Sequence, residues 1–497
     1  PKRTRHVVIF AMVPYHDIGG GQRSAQLAKT FNRMGYAVTY LYAYEATDAG
    51  ARDPEVPAVR HAPIREVPPH VLVGELRGAP LFLFEAPHRD FVPYLELARV
   101  VGARVIYDHI DNWDTSLGSF FYDAGVLRRF LAAADLRLAT TRLLADQLRA
   151  VAREADAVVA GAARAEPAAG VLDANGDLAS VSGVATEGGS EWRAASAGSA
   201  EGDEGWVYYV PNAVDTELFD PSLPTTRPAD LVRGAPTLLY YGSLWGAWFD
   251  WDLLCAAARA CPAAAFNLIG DAAPLAAARR VGLPANIHLL GPKLQRELPA
   301  YLAAAGGALI PFTTDEIGRY VSPLKVFEYL AMSTPVLATP LPELAGYPGV
   351  RTAGDAAGWI AAIQALARDC TAYRERTEDA TPVDGAAHDM APVRADAWGD
   401  RDAWGDVRSA NGSTPRSAVA TGAELAAGAS SAGAPLRRDA MVAFARANSW
   451  YARCEACLDA LDALDERAPL DPLVRLVPST GAWAVAAPAT RDARDVR

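Results

Sequence analysis

Lys325 and Glu328 stand three residues apart in the run from Ser322 to Leu344, SPLKVFEYLAMSTPVLATPLPEL, and their types and spacing suit one ligand. Ser322 reads as an N-cap and Pro323 as the first helical residue, where a missing N–H is no loss. The free amides and positive dipole end of such a helix favour an anion. A lysine in the first helical turn runs against the dipole, and an anion in front of it explains the choice. Glu328 follows one turn later on the same side of the helix. Pro335 to Thr339 then reads as a short buried strand. A lysine for phosphate and a glutamate for hydroxyls together suit a sugar nucleotide. The same residues also suit a capped surface helix with an internal Lys–Glu pair.

The elements around this run must place it at a strand end. Val7–Val13 is a continuous apolar run, as a strand buried on both faces requires. Gly19–Gly21 follows it. Leu27, Phe31 and Met34 then recur at helical spacing up to Gly35. Val38–Tyr42, Leu81–Phe84 and Val105–Tyr107 read as further strands, and Leu127 to Leu148 as largely helical. A second alternating unit begins near Thr237, with strands at Leu238–Tyr241, Phe266–Ile269, Ile287–Leu290, Ala308–Ile310 and Val336–Ala338. Alternation of this kind predicts parallel sheets covered by helices. Two stretches break it, about 154–205 and about 377–435, both poor in branched aliphatic residues and rich in Ala, Gly, Ser and Asp. Their composition predicts disordered or loosely packed insertions. A last amphipathic helix carries Met441, Phe444, Trp450 and Leu458.

The chain has 497 residues, enough for two or three domains, and a net charge of −12 that argues against nucleic acid as a partner. Residues 1–150 are close to neutral, so the acidity lies further along. Contact of the first domain with an anionic membrane surface stays compatible with that balance. No apolar run reaches the length of a membrane span. Five cysteines, few and odd in number, predict a reducing cytoplasmic setting. Cys454 and Cys457 lie in a helical pattern without a second pair, which favours packing over metal or redox chemistry. The histidines lack the short paired spacing of a zinc site.

The motifs fall, in order, at predicted strand ends: Gly19–Gly21 with Gln22 and Arg23, Asp108 to Asp111, Pro211 to Asp215, Gly242–Leu244, Gly270, Gly291 and Ser322–Glu328. Ligands of open α/β sheets bind at such ends. In that order and spacing the chain resembles a GT-B glycosyltransferase, most similar to the retaining family-four (group 1) branch. The resemblance covers most of 6–150, 206–370 and 438–465. It implies two Rossmann-like domains facing across a cleft. Residues 1–215 and the C-terminal helix at about 438–465 would form the acceptor-side domain, and 216–437 the nucleotide-sugar domain, with 466–497 a tail. Many family-four members carry two glutamates, and the first would fall on Tyr320.

The resemblance gives each candidate a role. Lys325 would neutralise the donor diphosphate, with Ser322, Pro323 and Leu324 around it at the helix start. Glu328 would accept the ribose hydroxyls. Gly20, Gly21, Gly242 and Ser243 would let backbone approach the phosphates, and Lys293 would lie where the base edge is read. His109 and Asp111 would face the transferred sugar, making His109, Asp111 and Lys325 the catalytic set. The expected reaction moves a sugar from a nucleotide-diphosphate sugar such as a UDP-sugar to a glycan or lipid-linked acceptor in surface polysaccharide synthesis. No cofactor or metal is expected, and the expected place is the cytoplasm or the inner face of the membrane. The alternatives are a sugar-nucleotide epimerase of the same fold and a non-catalytic sugar-nucleotide-binding partner.

Overall fold

The computed structural model describes residues 6–17, 21–45, 59–116, 118–164, 207–244, 246–272, 282–378 and 438–465. Among them are two wholly parallel sheets, which is the two-domain α/β architecture expected. The first sheet comprises β1 (His6–Ala11), β2 (Ala37–Tyr42), β3 (Arg60–Pro63), β4 (Pro80–Phe84), β5 (Arg104–His109), β6 (Leu136–Ala139) and β7 (Val207–Tyr209), in the order β3-β2-β1-β4-β5-β6-β7. Its helices include α1 (Arg23–Arg33), α2 (Pro69–Val73), α3 (Val92–Val101), α4 (Ala124–Ala133) and α5 (Arg142–Arg164). The second sheet comprises β8 (Thr237–Tyr241), β9 (Ala265–Ile269), β10 (Ile287–Gly291), β11 (Gly307–Ile310), β12 (Val336–Ala338) and β13 (Val350–Thr352), in the order β10-β9-β8-β11-β12-β13. With it go α6 (Trp251–Ala260), α7 (Leu298–Ala303), α8 (Leu324–Ala331) and α9 (Ala356–Glu378). Each sheet reverses its order beside its first strand, between β1 and β4 and between β8 and β11. These reversals open the crevices in which α/β ligands sit.

The central strands are buried end to end, as β1, β4 and β8 show. That is why their sequences read as unbroken apolar runs. Leu127–Leu148, expected as largely helical, is instead α4, then β6, then α5. Asp135 makes the break: its carboxylate accepts from the Val105 amide at 2.8 Å and from Arg104 at 2.8 Å, which pulls the chain into the sheet beside β5. The four residues of β6 are all buried, and a short run buried on both faces has no period that tells strand from helix. Most of the two compositionally biased stretches lies outside the described residues. α5 and α9 run to Arg164 and Glu378, into the stretches assigned to insertions.

The last expected helix is two helices, α10 (Arg438–Ala447) and α11 (Trp450–Asp465). Met441, Phe444 and Ala445 of α10 complete the second domain's core. Trp450, Cys454, Cys457 and Leu461 of α11 fill the first domain's core, so both cysteines act as buried packing groups. The chain crosses between domains at Asn448–Ser449. There the Val214 amide donates to the Asn448 carbonyl at 3.0 Å and the Trp450 amide to the Val214 carbonyl at 3.1 Å. The two interdomain connections therefore pair with each other. No described helix is long and apolar enough to cross a membrane.

Candidate active site

The site grows from the carboxyl end of β8. Gly242 has φ +133°, a conformation L side chains rarely adopt, and a Cβ there would meet Lys325 Cε at 3.1 Å. Gly270 is constrained in the same way, because its Cβ would lie 2.0 Å from the Gly242 carbonyl oxygen. These two glycines bring backbone close to the Lys325 side chain. Lys325 Nζ lies 5.3 Å from the Tyr240 ring centroid and 4.9 Å from that of Phe312. It makes no ion pair with a described residue. The aromatic faces hold the ammonium without neutralising it. Burial lowers the Lys325 pKa to about 8, while Glu328 pulls it upward.

Polar groups without a partner among the described residues stand at the start of the Lys325 helix and at the neighbouring strand ends. The Leu324 and Lys325 amides at the start of α8 have no acceptor among the described residues. Among the described residues the buried hydroxyl of Ser243 has no partner either, and neither do those of Thr313 and Thr339. Ser243, Thr313 and Thr339 follow β8, β11 and β12, three neighbouring strands. An orphaned buried hydroxyl is expensive unless a ligand completes it. Thr313 and Thr339 were not singled out in the sequence; the signal was their place just beyond the strands at Ala308–Ile310 and Val336–Ala338.

The structure corrects the expected helix start. Pro323 occupies the N-cap, Leu324 is the first helical residue, and no side chain caps the helix. Ser322 faces the first domain instead: its carbonyl accepts from Asn212 Nδ2 at 2.7 Å and its hydroxyl from the Asn212 amide at 3.5 Å. Leu324 packs against the first domain's core. Capping is thus left open to a ligand while the segment is pinned across the domain boundary.

Glu328 is 3% exposed, and both its oxygens are engaged. Tyr241 Oη donates to one at 2.6 Å and Gln295 Nε2 to the other at 2.9 Å. Burial pushes the Glu328 pKa up to about 7, against the hydrogen bonds and the pull of Lys325 and Lys29. Lys293 is engaged elsewhere, in an ion pair with Asp230 at 2.7 Å that lies beside Tyr301. The residue of that loop which bonds Glu328 is Gln295, not anticipated from sequence. Tyr320, where the resemblance would put a glutamate, packs against the first domain's apolar core.

In the first domain His109 is the last residue of β5. Its Nδ1 lies 3.0 Å from Tyr107 Oη, and burial lowers its pKa to about 3, so the ring is neutral. Asp111, two residues on, makes no hydrogen bond to a described residue, and burial raises its pKa to about 7. Glu85, just beyond β4, is a buried carboxylate that the sequence did not single out. It accepts from the Met12 amide at the end of β1 and from Ser24 of α1, and burial raises its pKa to about 7, with Asp108 and Asp111 adding to the rise. Glu85 thereby ties down both ends of the glycine loop. Gly20 lies outside the described residues; Gly21 sits two residues ahead of α1. His109 and Asp111 form no hydrogen bond or ion pair with Lys325 or Glu328. Among the described residues no group of His, Cys, Asp and Glu is arranged to hold a metal ion.

Residues 235–369 match the family described as Glycosyl transferases group 1. No curated protein sequence matches the chain. Among solved structures, Anabaena HepE in complex with UDP-glucose is similar at 14% identity, with 73% of this chain and 90% of that one covered and a TM-score of 0.44. A glycosyltransferase from Rickettsia africae is similar at 10% identity, with 73% and 88% covered and a TM-score of 0.45. An alpha-glucosyltransferase in complex with UDP and a 13-mer DNA is similar at 11% identity, with 75% and 93% covered and a TM-score of 0.47.

Proposed function

We propose that this chain, whose second domain carries the group 1 glycosyl transferase match, is a GT-B glycosyltransferase that moves a sugar from a nucleotide-diphosphate sugar to a glycan or lipid-linked acceptor. One observation carries the reading. A lysine with no counter-ion among the described residues lies against Gly242, at a helix start whose first two amides find no described acceptor, one turn before a buried glutamate. That is a receptacle for a diphosphate with a diol beside it. Lys325 and the helix start would stabilise charge as it grows on the leaving diphosphate. Glu328 would accept two hydroxyls of the ribose on its remaining lone pairs. Ser243 would complete its hydroxyl on a phosphate oxygen. Neutral His109 would hydrogen-bond the transferred sugar, and Asp111 would face the same sugar. The proposed course is retention by front-face displacement, in which positioning and electrostatics carry the rate without a metal or other cofactor. We place the work in surface polysaccharide synthesis, in the cytoplasm or at the inner face of the membrane.

A thermal-shift screen with UDP, GDP, dTDP and ADP tests the donor site. A bound nucleotide at a hundred times its Kd adds about 2.7 kcal/mol of stability, a readable shift. No shift with any of the four removes the reading. Release of nucleotide from the matching sugar nucleotide then separates a transferase, which leaks slowly to water, from a binder, which releases none.

The two shifted pKa values also set a pH dependence. The diphosphate needs Lys325 protonated and the diol needs Glu328 ionised. With Glu328 at about 7 and Lys325 at about 8, nucleotide affinity should peak between these values and fall on both sides. Above the peak, binding restores the Lys325 proton, so it takes up protons; below the peak, it releases the Glu328 proton. Calorimetry in buffers of different ionisation enthalpy reads both signs. A flat profile from pH 6 to 9 would contradict the assignment.

A further inference from the structure

Glu328 is coupled to a lysine of the other domain. Gln295 Oε1 accepts from Gln26 Nε2 at 2.8 Å and from Lys29 Nζ at 3.0 Å, while its Nε2 donates to Glu328 Oε1 at 2.9 Å. A lysine can only donate and an ionised carboxylate can only accept, so these neighbours fix which way the amide points. Gln26 and Lys29 lie on α1 of the first domain, Gln295 and Glu328 in the second. All four are buried, at 1%, 5%, 5% and 3% exposure. In such surroundings a chain of hydrogen bonds ending on a charge at each side polarises along its length.

We infer that Lys29 and Gln295 are positioning residues for the donor site: acting through Gln295, the first-domain lysine holds the Glu328 carboxylate charged and oriented for the donor's diol. This rests on the reading of Glu328 as the hydroxyl-binding group. The geometry gives the pair a second consequence. Gln295 takes one lone pair of Glu328 Oε1 and Tyr241 one of the other oxygen, which leaves the remaining lone pairs in set directions. Separation of the domains withdraws Lys29 and Gln26 from Gln295, frees the amide to rotate, and loosens Glu328. Nucleotide affinity therefore depends on a side chain in the domain that does not itself hold the nucleotide, and the nucleotide in turn favours the closed arrangement by the same factor.

The test is a double-mutant cycle on nucleotide binding by the full chain. UDP, GDP, dTDP and ADP are titrated into wild type, Lys29→Met, Gln295→Leu, Glu328→Gln, and the doubles Lys29→Met/Glu328→Gln and Gln295→Leu/Glu328→Gln. Lys29→Met and Gln295→Leu should each weaken the nucleotide that wild type binds by about tenfold, within the range of directly linked side chains. In the Glu328→Gln background neither change should weaken it further, because the carboxylate they act through is gone. A purely structural role would instead give the same loss in both backgrounds, and that result overturns the inference. So does wild-type affinity in folded Lys29→Met and Gln295→Leu. Should one variant fail to fold, the other cycle decides alone. If wild type binds none of the four nucleotides, the donor-site reading falls and this inference with it; if wild type binds and the variants match it, only this inference falls.

Discussion

Lys325→Ala should lower turnover by about 10²- to 10³-fold, the effect of deleting one preorganised donor at a developing charge, about 2.7–4 kcal/mol. The expectation comes from what surrounds the ammonium. Two aromatic faces and Gly242 lie against it, the first two amides of its helix find no acceptor among the described residues, and no described carboxylate pairs with it. A charge held this way is desolvated before the ligand arrives, as its lowered pKa of about 8 records. The burden falls on stability. At pH 7, below that value, the native state carries the charge at a cost, so removing it should leave the fold no less stable by much. The cation–π attraction of the ammonium to its two rings is worth about 0.5–2 kcal/mol, and its removal acts in the opposite direction. The variant should therefore unfold within a few degrees of wild type while releasing nucleotide from the donor far more slowly. Lys325→Arg should recover part of the rate only, because a planar guanidinium does not fit the space a narrow ammonium fills beside Gly242. An alanine variant with wild-type turnover would remove Lys325 from the site.

What the sequence could disclose depended on the range over which each feature is encoded. The parallel sheets were legible because burial on both faces writes continuous apolar runs into strands such as β1 and β8. β6 was not, since its four buried residues continue the apolar pattern of the helix before it, and the interruption rests on Asp135 reaching β5 about 30 residues back. The site divides in the same way. Lys325 and Glu328 announce themselves by local spacing on one helix. Gln295 is 33 residues from Glu328, and Asn212 is 110 from Ser322, so no period connects either pair. Ser322 has a capping residue's chemistry, but its partner in space is the first domain, and tertiary contact overrides the local preference. Lys293 carries the conspicuous charge of its loop, yet Asp230 pairs with it beside the Tyr301 ring, and the neutral Gln295 makes the contact to Glu328. Charge is easy to see in a sequence, whereas an amide that can accept on one side and donate on the other is not.

Asp108→Asn should destabilise the fold by about 3–5 kcal/mol, the usual consequence of leaving a buried charge without its partner. Arg23 binds Asp108 with two bonds, Nε–Oδ2 at 2.7 Å and Nη2–Oδ1 at 3.1 Å, and the side chains are 5% and 1% exposed. Arg23 Nη1 also donates to the Pro211 carbonyl at 3.2 Å and to Asn212 Oδ1 at 3.3 Å. A second guanidinium, that of Arg453 on α11, donates to the same Pro211 carbonyl at 3.3 Å. Asp108 is the only carboxylate bonded to either arginine among the described residues. The isosteric amide keeps the volume but withdraws the negative charge, so two buried cations face each other across one carbonyl. Arg23→Met leaves Asp108 buried and unpaired and should be similarly harmful. Arg23→Met combined with Asp108→Leu should recover only part of the loss. The ion pair itself can be exchanged for apolar groups, but Asn212 Oδ1 loses its Arg23 donor and the Pro211 carbonyl keeps only that of Arg453. Urea unfolding of the four proteins, compared at constant m-value, measures each step. The functional consequence follows the same bonds. Asn212, held by Arg23, donates to the Ser322 carbonyl beside the start of α8, so a loosened Arg23 should raise the nucleotide Kd even where the variant remains folded. Near-wild-type stability in Asp108→Asn would mean that the two guanidiniums are balanced by something other than this carboxylate.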